Sequence, residues 1–178
     1  MRKGYLVMIV MIIALLMAGG LWAAEVSTTM NVLAVNPASQ AATVSATDLN
    51  FGTLSLTGPT NAEATITVNA PNGTPYQIGI DGGLNLYNCS NSRCMTGLDQ
   101  YNIVSYQVLY ELYTDAARTT VWGDSCTSSP TYGTYSCAGP FTGTGADQTY
   151  TVYGQAQQAL DLTEVVDLDD TVTITVVY

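Results

Sequence analysis

After residue 25, nearly every apolar run in the chain alternates with period two. None keeps the i, i+3, i+4, i+7 spacing of an amphipathic helix over a useful length. Successive side chains of a strand point to opposite faces, so this pattern admits half-buried strands and argues against a helical core. Candidate strands fall at residues 26–35, 42–51, 64–70, 76–81, 103–113, 120–122, 149–155 and 170–178. Twenty-five threonines follow residue 24, and β-branched residues suit a pleated, half-buried surface. Turn signals separate the strands: Gly58-Pro59, Pro71-Asn72-Gly73, Asp81-Gly82-Gly83, Asp115-Ala116-Ala117-Arg118 and the stretch from Gly139 to Gly145. Strands at this spacing with no helices between them predict an all-β sandwich or barrel.

Two segments stand out at the ends of that array. In the last one, Val172, Ile174, Val176 and Tyr178 share one face while Thr171, Thr173 and Thr175 share the other, so one face is expected in the core. In the first, Val26, Thr28, Met30, Val32 and Ala34 share a face, and Asn36-Pro37-Ala38-Ser39 then breaks the pattern. Such a segment is either the first strand of its own sandwich or a strand given to a neighbour by β-strand addition, where backbone hydrogen bonds supply affinity and alternate side chains fill pockets.

What precedes residue 24 reads differently. Arg2 and Lys3 lead into an apolar run from Tyr5 to Ala18, followed by Gly19, Gly20, Ala23 and Ala24. This is the grammar of a secretory signal peptide, with cleavage expected after Ala23. A membrane anchor is the rival reading, since residues 5–24 reach the roughly 20 residues of a bilayer span, but Gly19 and Gly20 interrupt the run. The rest of the chain carries two arginines, no lysine and fourteen acids, a formal charge of −12. Such a surface repels phosphates and excludes nucleic acid as a partner. Histidine is absent, which removes the commonest general base and metal ligand and points away from an enzyme.

In an oxidising compartment the four cysteines, Cys89, Cys94, Cys126 and Cys137, read as two disulfides. Three connectivities are open. The local one, Cys89 with Cys94 and Cys126 with Cys137, is favoured because each pair brackets a polar loop. A zinc site fits poorly, because four and ten residues intervene rather than two C-x-x-C knuckles.

Other constellations favour structural readings. Asp161, Glu164, Asp167, Asp169 and Asp170 lack the turn glycine of a calcium loop and read as a solvated acidic segment. Most tyrosines on alternate strand positions read as core or cross-strand pairs. Tyr132 and Tyr135, inside the Cys126–Cys137 loop, are expected as an exposed aromatic contact surface. Arg118 reads as a turn residue. No cofactor or metal is expected.

Several short pieces, taken in order, resemble a known family. They are Asp48-Leu-Asn-Phe-Gly52, Gly73-Thr-Pro-Tyr76, Ile78-Gly-Ile80-Asp-Gly-Gly83, Arg93-Cys-Met95, Tyr106 to Asp115 with Arg118, Val121-Trp122-Gly123-Asp124, Tyr150-Thr-Val-Tyr153-Gly154 and the closing strand to Tyr178. The sequence resembles the spore coat protein U domain, which is also the pilin domain of archaic chaperone-usher pili. The resemblance implies an immunoglobulin-like β-sandwich, incomplete for want of its final strand. The missing strand would be supplied first by a periplasmic chaperone and then by the N-terminal strand of the next subunit. It further implies an outer-membrane usher, head-to-tail polymerisation with self or related pilin subunits, and a place on the cell surface in adhesion or biofilm formation. The layout expected on this basis is a signal peptide over residues 1–23, a donor strand over 24–36 carrying Val26, Thr28, Met30, Val32 and Ala34, and a pilin domain over 37–178. The groove would be bordered by Val172, Ile174, Val176 and Tyr178. One departure is plain: family members usually carry a cysteine in the first body strand and another before Gly-Thr-Pro-Tyr, whereas this chain has Ala70 at the second position and none from Ala34 to Phe51. Two rivals remain: a coat protein of the same fold that forms no fibre, and a self-contained carbohydrate-binding sandwich.

Overall fold

A computed structural model describes residues 41–98, 101, 105–158 and 166–178. The leader and the segment 24–36, with Val26, Thr28, Met30, Val32 and Ala34, lie outside the described residues. The body is all-β, an immunoglobulin-like sandwich of eight described strands: β1 Thr43–Ala46, β2 Thr60–Asn69, β3 Pro75–Ile80, β4 Cys94–Leu98, β5 Ser105–Tyr113, β6 Ala138–Thr142, β7 Asp147–Ala156 and β8 Ile174–Val177. One sheet has the order β1-β2-β7-β5-β4 and the other β6-β3-β8. Every pairing is antiparallel.

The period-two pattern places the core. Ala64, Ile66 and Val68 of β2, Val108, Tyr110 and Leu112 of β5, and Val152 and Ala156 of β7 turn inward from the larger sheet to meet Tyr76, Ile78 and Ile80 of β3. Ile66, Val68 and Ile78 are completely buried, and each such side chain contributes about 1.5–3 kcal/mol. Gly154 of β7 also faces inward; a Cβ there would strike the side chain of Leu49, which packs with Phe51 against this floor.

Five strand expectations change. Of residues 42–51 only Thr43–Ala46 form a strand, because Leu49 and Phe51 beyond it fold over to pack on the core. Residues 120–122 form no strand, only an isolated bridge of Val121 to Tyr113. Trp122 leaves the surface altogether and donates its indole N–H to the Ile78 carbonyl at 2.8 Å. The stretch begun by Gly139, read as a turn, contains β6. Its Gly139 and Pro140 are tolerated because β6 is an edge strand that need not donate on both sides. Residues 94–98 form β4, whose brevity hid it. The final strand begins at Ile174 rather than at residue 170, because β3 ends at Ile80 and beyond it the stem pairs only through isolated backbone bonds, from Asp81 N–H to the Thr173 carbonyl and from Leu84 N–H to the Thr171 carbonyl.

A buried charge organises the loops at that turn. Arg93 is fully buried. It donates to the Ile80 carbonyl at 2.7 Å, to the Asp81 carbonyl at 2.7 and 2.9 Å, and to Glu111 Oε1 at 2.7 Å. Its guanidinium lies 4.4 Å from the centroid of the Tyr132 ring, and the Tyr132 hydroxyl donates to Glu111 Oε2. Asp124 in turn accepts the backbone N–H groups of Thr131 and Tyr132. Tyr132 is therefore buried, contrary to the expectation of an exposed aromatic loop, while Tyr135 remains partly exposed. The structure pairs Cys126 with Cys137 and Cys89 with Cys94. The first of these bridges closes the loop that carries Tyr132 onto Arg93.

Arg93→Ala should lower stability by roughly 3–5 kcal/mol, since it strands Glu111 and two carbonyls that a neutral side chain cannot satisfy. The urea midpoint measures this, and a loss below about 1 kcal/mol would contradict a structural role for the pair.

Candidate functional site: an apolar groove beside the last strand

β8 is exceptional among the strands that face the core. It pairs with β3 along one edge, with Ile174 opposite Ile80 and Val176 opposite Ile78. Residues opposite one another share a face, so Ile174 and Val176 point inward beside two completely buried isoleucines. Yet all four residues of β8 are only half-buried. The other edge of β8 has no ladder partner among the described residues.

β1 shows the same incompleteness. Val44 stands opposite Val68 and Ala46 opposite Ile66, so both face inward from the edge of the larger sheet. Val68 and Ile66 are sealed, but Val44 is 42% exposed. Core-facing side chains beside two edges with no ladder partner among the described residues are thus left uncovered.

A cavity of about 390 Å3 opens here, between the segment from Ala46 to Phe51 and that from Asp170 to Ile174. Its floor is Ala64, Ile66, Met95, Leu112 and Val152. Polar groups enter it at Asp48, Tyr110 and Asp170. Shape and chemistry both suit an extended peptide: apolar pockets for alternate side chains and free N–H and C=O groups along β8. Nothing in the lining resembles a nucleophile with its base.

The residues expected to border the groove divide. Val172 and Ile174 line it, and Val176 packs on the core from the same strand. Tyr178 lies beyond β8 and is 60% exposed. The acidic segment is more structured than a solvated loop. Asp169 bridges to Thr96 of β4, and Asp170 accepts the Tyr110 hydroxyl at 2.8 Å. Sequence reasoning missed Leu49, Phe51, Met95 and Tyr110 as lining residues, although each lies in one of the short motifs. Arg118, as expected, sits in a turn with positive φ; it donates to the Gly154 carbonyl and faces the Tyr153 ring.

Among the described residues, the fold is an immunoglobulin-like sandwich whose core is open beside β1 and β8. The family model of the Spore Coat Protein U domain matches residues 27–175, and the chain belongs to that family. No curated protein matches it. Among solved structures, the crystal structure of the CsuC–CsuE chaperone–tip adhesion subunit pre-assembly complex, from archaic chaperone-usher Csu pili of Acinetobacter baumannii, matches with a TM-score of 0.46 and 22% identity. The match covers 78% of this chain and 39% of that one, so the chain spans about two fifths of the length of its solved counterpart.

Burial, and next the hydrogen bond to Asp170, hold the Tyr110 hydroxyl well above the ordinary tyrosine range. Burial and the bond to Glu111 do the same for Tyr132. A raised folded-state pKa keeps the proton where the unfolded chain has lost it, so this stability is complete below about pH 10 and falls as pH rises beyond. Stability should therefore decline on the alkaline side, and Tyr110→Phe should flatten the decline. Equal slopes for the two proteins in urea titrations between pH 9 and 11 would contradict this.

Proposed function

We propose that the chain is a structural subunit of a surface fibre of the chaperone-usher type, polymerising head to tail by donor-strand complementation. The observation that carries the reading is the open edge: inward-facing Val44, Ile174 and Val176 left uncovered beside a cavity of about 390 Å3, with the free backbone of β8 alongside. The same chain contains a segment, residues 26–34, whose apolar alternation reads as a strand. Extended, residues 26–34 span roughly 27 Å, enough to run alongside β8 and the Asp170 to Ile174 border of the groove. Val26, Thr28, Met30, Val32 and Ala34 would enter the cavity from one face. Three or four such side chains supply several kcal/mol before the backbone ladder is counted, less the cost of association.

On this reading residues 1–23 are a removed leader, 24–36 the donor and 37–178 the accepting body. Before assembly a periplasmic chaperone strand covers the groove, and an outer-membrane usher delivers the subunit to the surface. A donor that fills a neighbour's groove while its own groove takes the next donor is a heterologous contact, which extends without closing. The role is mechanical rather than catalytic, serving attachment and biofilm formation. Burial of Trp122 and Tyr132 takes both rings out of any surface platform for a carbohydrate.

Deleting residues 24–36 should yield a body that melts at lower temperature or needs a chaperone. A peptide of residues 25–36 should restore its stability, and the full-length protein should form chains by size. A truncated body that is stable, monomeric and indifferent to the peptide would overturn the proposal. Met30→Asp places a charge in an apolar pocket and should abolish chain growth while leaving a peptide-filled body folded. Full-length chains that stay monomeric yet pack into sheets or shells would instead favour the coat role.

A further inference from the structure

The sequence of β8 and its stem is a dyad repeat, Thr171-Val-Thr-Ile-Thr-Val176. Alternation forbids a one-residue slip against β3, since threonines would enter the core. It does not forbid a slip of two. With Ile174 opposite Ile78 and Val172 opposite Ile80, the apolar face would still point inward. Four paired residues along one edge are a weak constraint, and the other edge of β8 has no ladder partner among the described residues. Something outside the alternation has to select the register.

Asp170 is built for that. Its Oδ1 accepts the backbone N–H groups of Thr171 at 2.9 Å and Asn85 at 3.2 Å, and its Oδ2 accepts the Tyr110 hydroxyl at 2.8 Å. Tyr110 belongs to β5, so one carboxylate ties the stem of β8 both to the loop after β3 and to the opposite sheet. Gly83 has φ +83°, and a Cβ there would collide with this carboxylate. The seat therefore has room for Asp170 only if residue 83 is glycine. Asp81 adds a second tie, its Oδ1 accepting the Thr173 N–H at 2.8 Å while its own N–H donates to the Thr173 carbonyl. A slip of two residues breaks every one of these bonds except the local one from Thr171 to Asp170.

We propose that Asp170, held by Tyr110 and seated over Gly83, is the positioning residue that fixes the register of β8 on β3. It thereby sets which backbone groups and pockets the groove presents. The consequence for strand capture rests on the acceptor reading above; the register itself does not.

Cross-linking of the full-length chain reads the register directly. Gln77 and Val177 are Cα partners, and facing residues in a hydrogen-bonded pair lie about 5.5 Å apart, within disulfide range. A Gln77→Cys, Val177→Cys chain should form the 77–177 bridge, mapped by proteolysis and mass spectrometry. A Gln77→Cys, Thr175→Cys chain should not form the 77–175 bridge. With Asp170→Ala or Tyr110→Phe added, the 77–177 bridge should lose yield and the 77–175 bridge should appear. Gly83→Ala, which leaves both partners in place but displaces the carboxylate, should act in the same direction. Tyr110→Phe keeps the ring in the core, so it carries the test if the other variants fail to fold. Loss of thermal stability with an unchanged cross-link pattern would overturn the proposal, because a merely stabilising contact changes melting but not the bridged pair. If the peptide of residues 25–36 fails to bind while the cross-links shift as described, the acceptor reading fails and the register assignment stands.

Discussion

The structure depends on a mismatch of width. Neighbouring strands lie about 4.8 Å apart, so a five-stranded sheet presents an inner face roughly two strand-widths broader than a three-stranded one can cover. Every inward side chain of the larger sheet must be covered by something, or its burial is lost. Part of the shortfall is met by the segment after β1, where Leu49, Phe51 and Leu54 pack on the core and Gly154 makes room for them. The remainder is the groove. Its existence follows from the count and spacing of the described strands, and its position follows from the smaller described sheet ending at β8.

That smaller sheet is held by more than its own ladders. β3 is its centre, and the loop from Trp122 to Cys137 braces it from outside. Trp122 bonds Ile78, Gly123 accepts from Ile80 N–H, and a Cβ on Gly79 would meet Cys137 Sγ and the Asp124 backbone at 3.1 and 3.2 Å. Arg93 then anchors the end of β3 to Glu111 of the larger sheet. A buried ion pair is weak evidence for net stability, but here its geometry performs a task that apolar side chains cannot. It satisfies the carbonyls of Ile80 and Asp81 where the chain leaves the sheet.

The alternation of Ile66, Val68, Ile78, Ile80, Val108 and Leu112 made the all-β class and most of the core legible in the sequence, because a period of two survives any loop length. The resemblance added the sandwich type. What stayed hidden was set by distant partners. Pro140 argues against a strand unless the segment is known to lie at an edge. Tyr132 looked exposed because its burial depends on Arg93, 39 positions away. Asp170 looked like one more solvated acid, and only the approach of Tyr110 and the missing side chain of Gly83 distinguish it from Asp167. The groove was legible as an implication of the family motifs, while its lining by Leu49, Phe51 and Met95 required the packing to be seen.

The four edges of the described sheets differ in how they are protected. Proteins blunt exposed edges with charge, proline, irregular backbone or a covering segment. The β6 edge carries Gly139 and Pro140. The β4 edge is covered at Thr96, which exchanges two backbone hydrogen bonds with Asp169 at 3.0 and 3.1 Å. β1, Thr-Val-Ser-Ala, and β8, Ile-Thr-Val-Val, have neither charge nor proline. Because these are also the edges with uncovered inward side chains, backbone pairing and apolar burial favour the same occupant: one extended, alternating and largely uncharged strand.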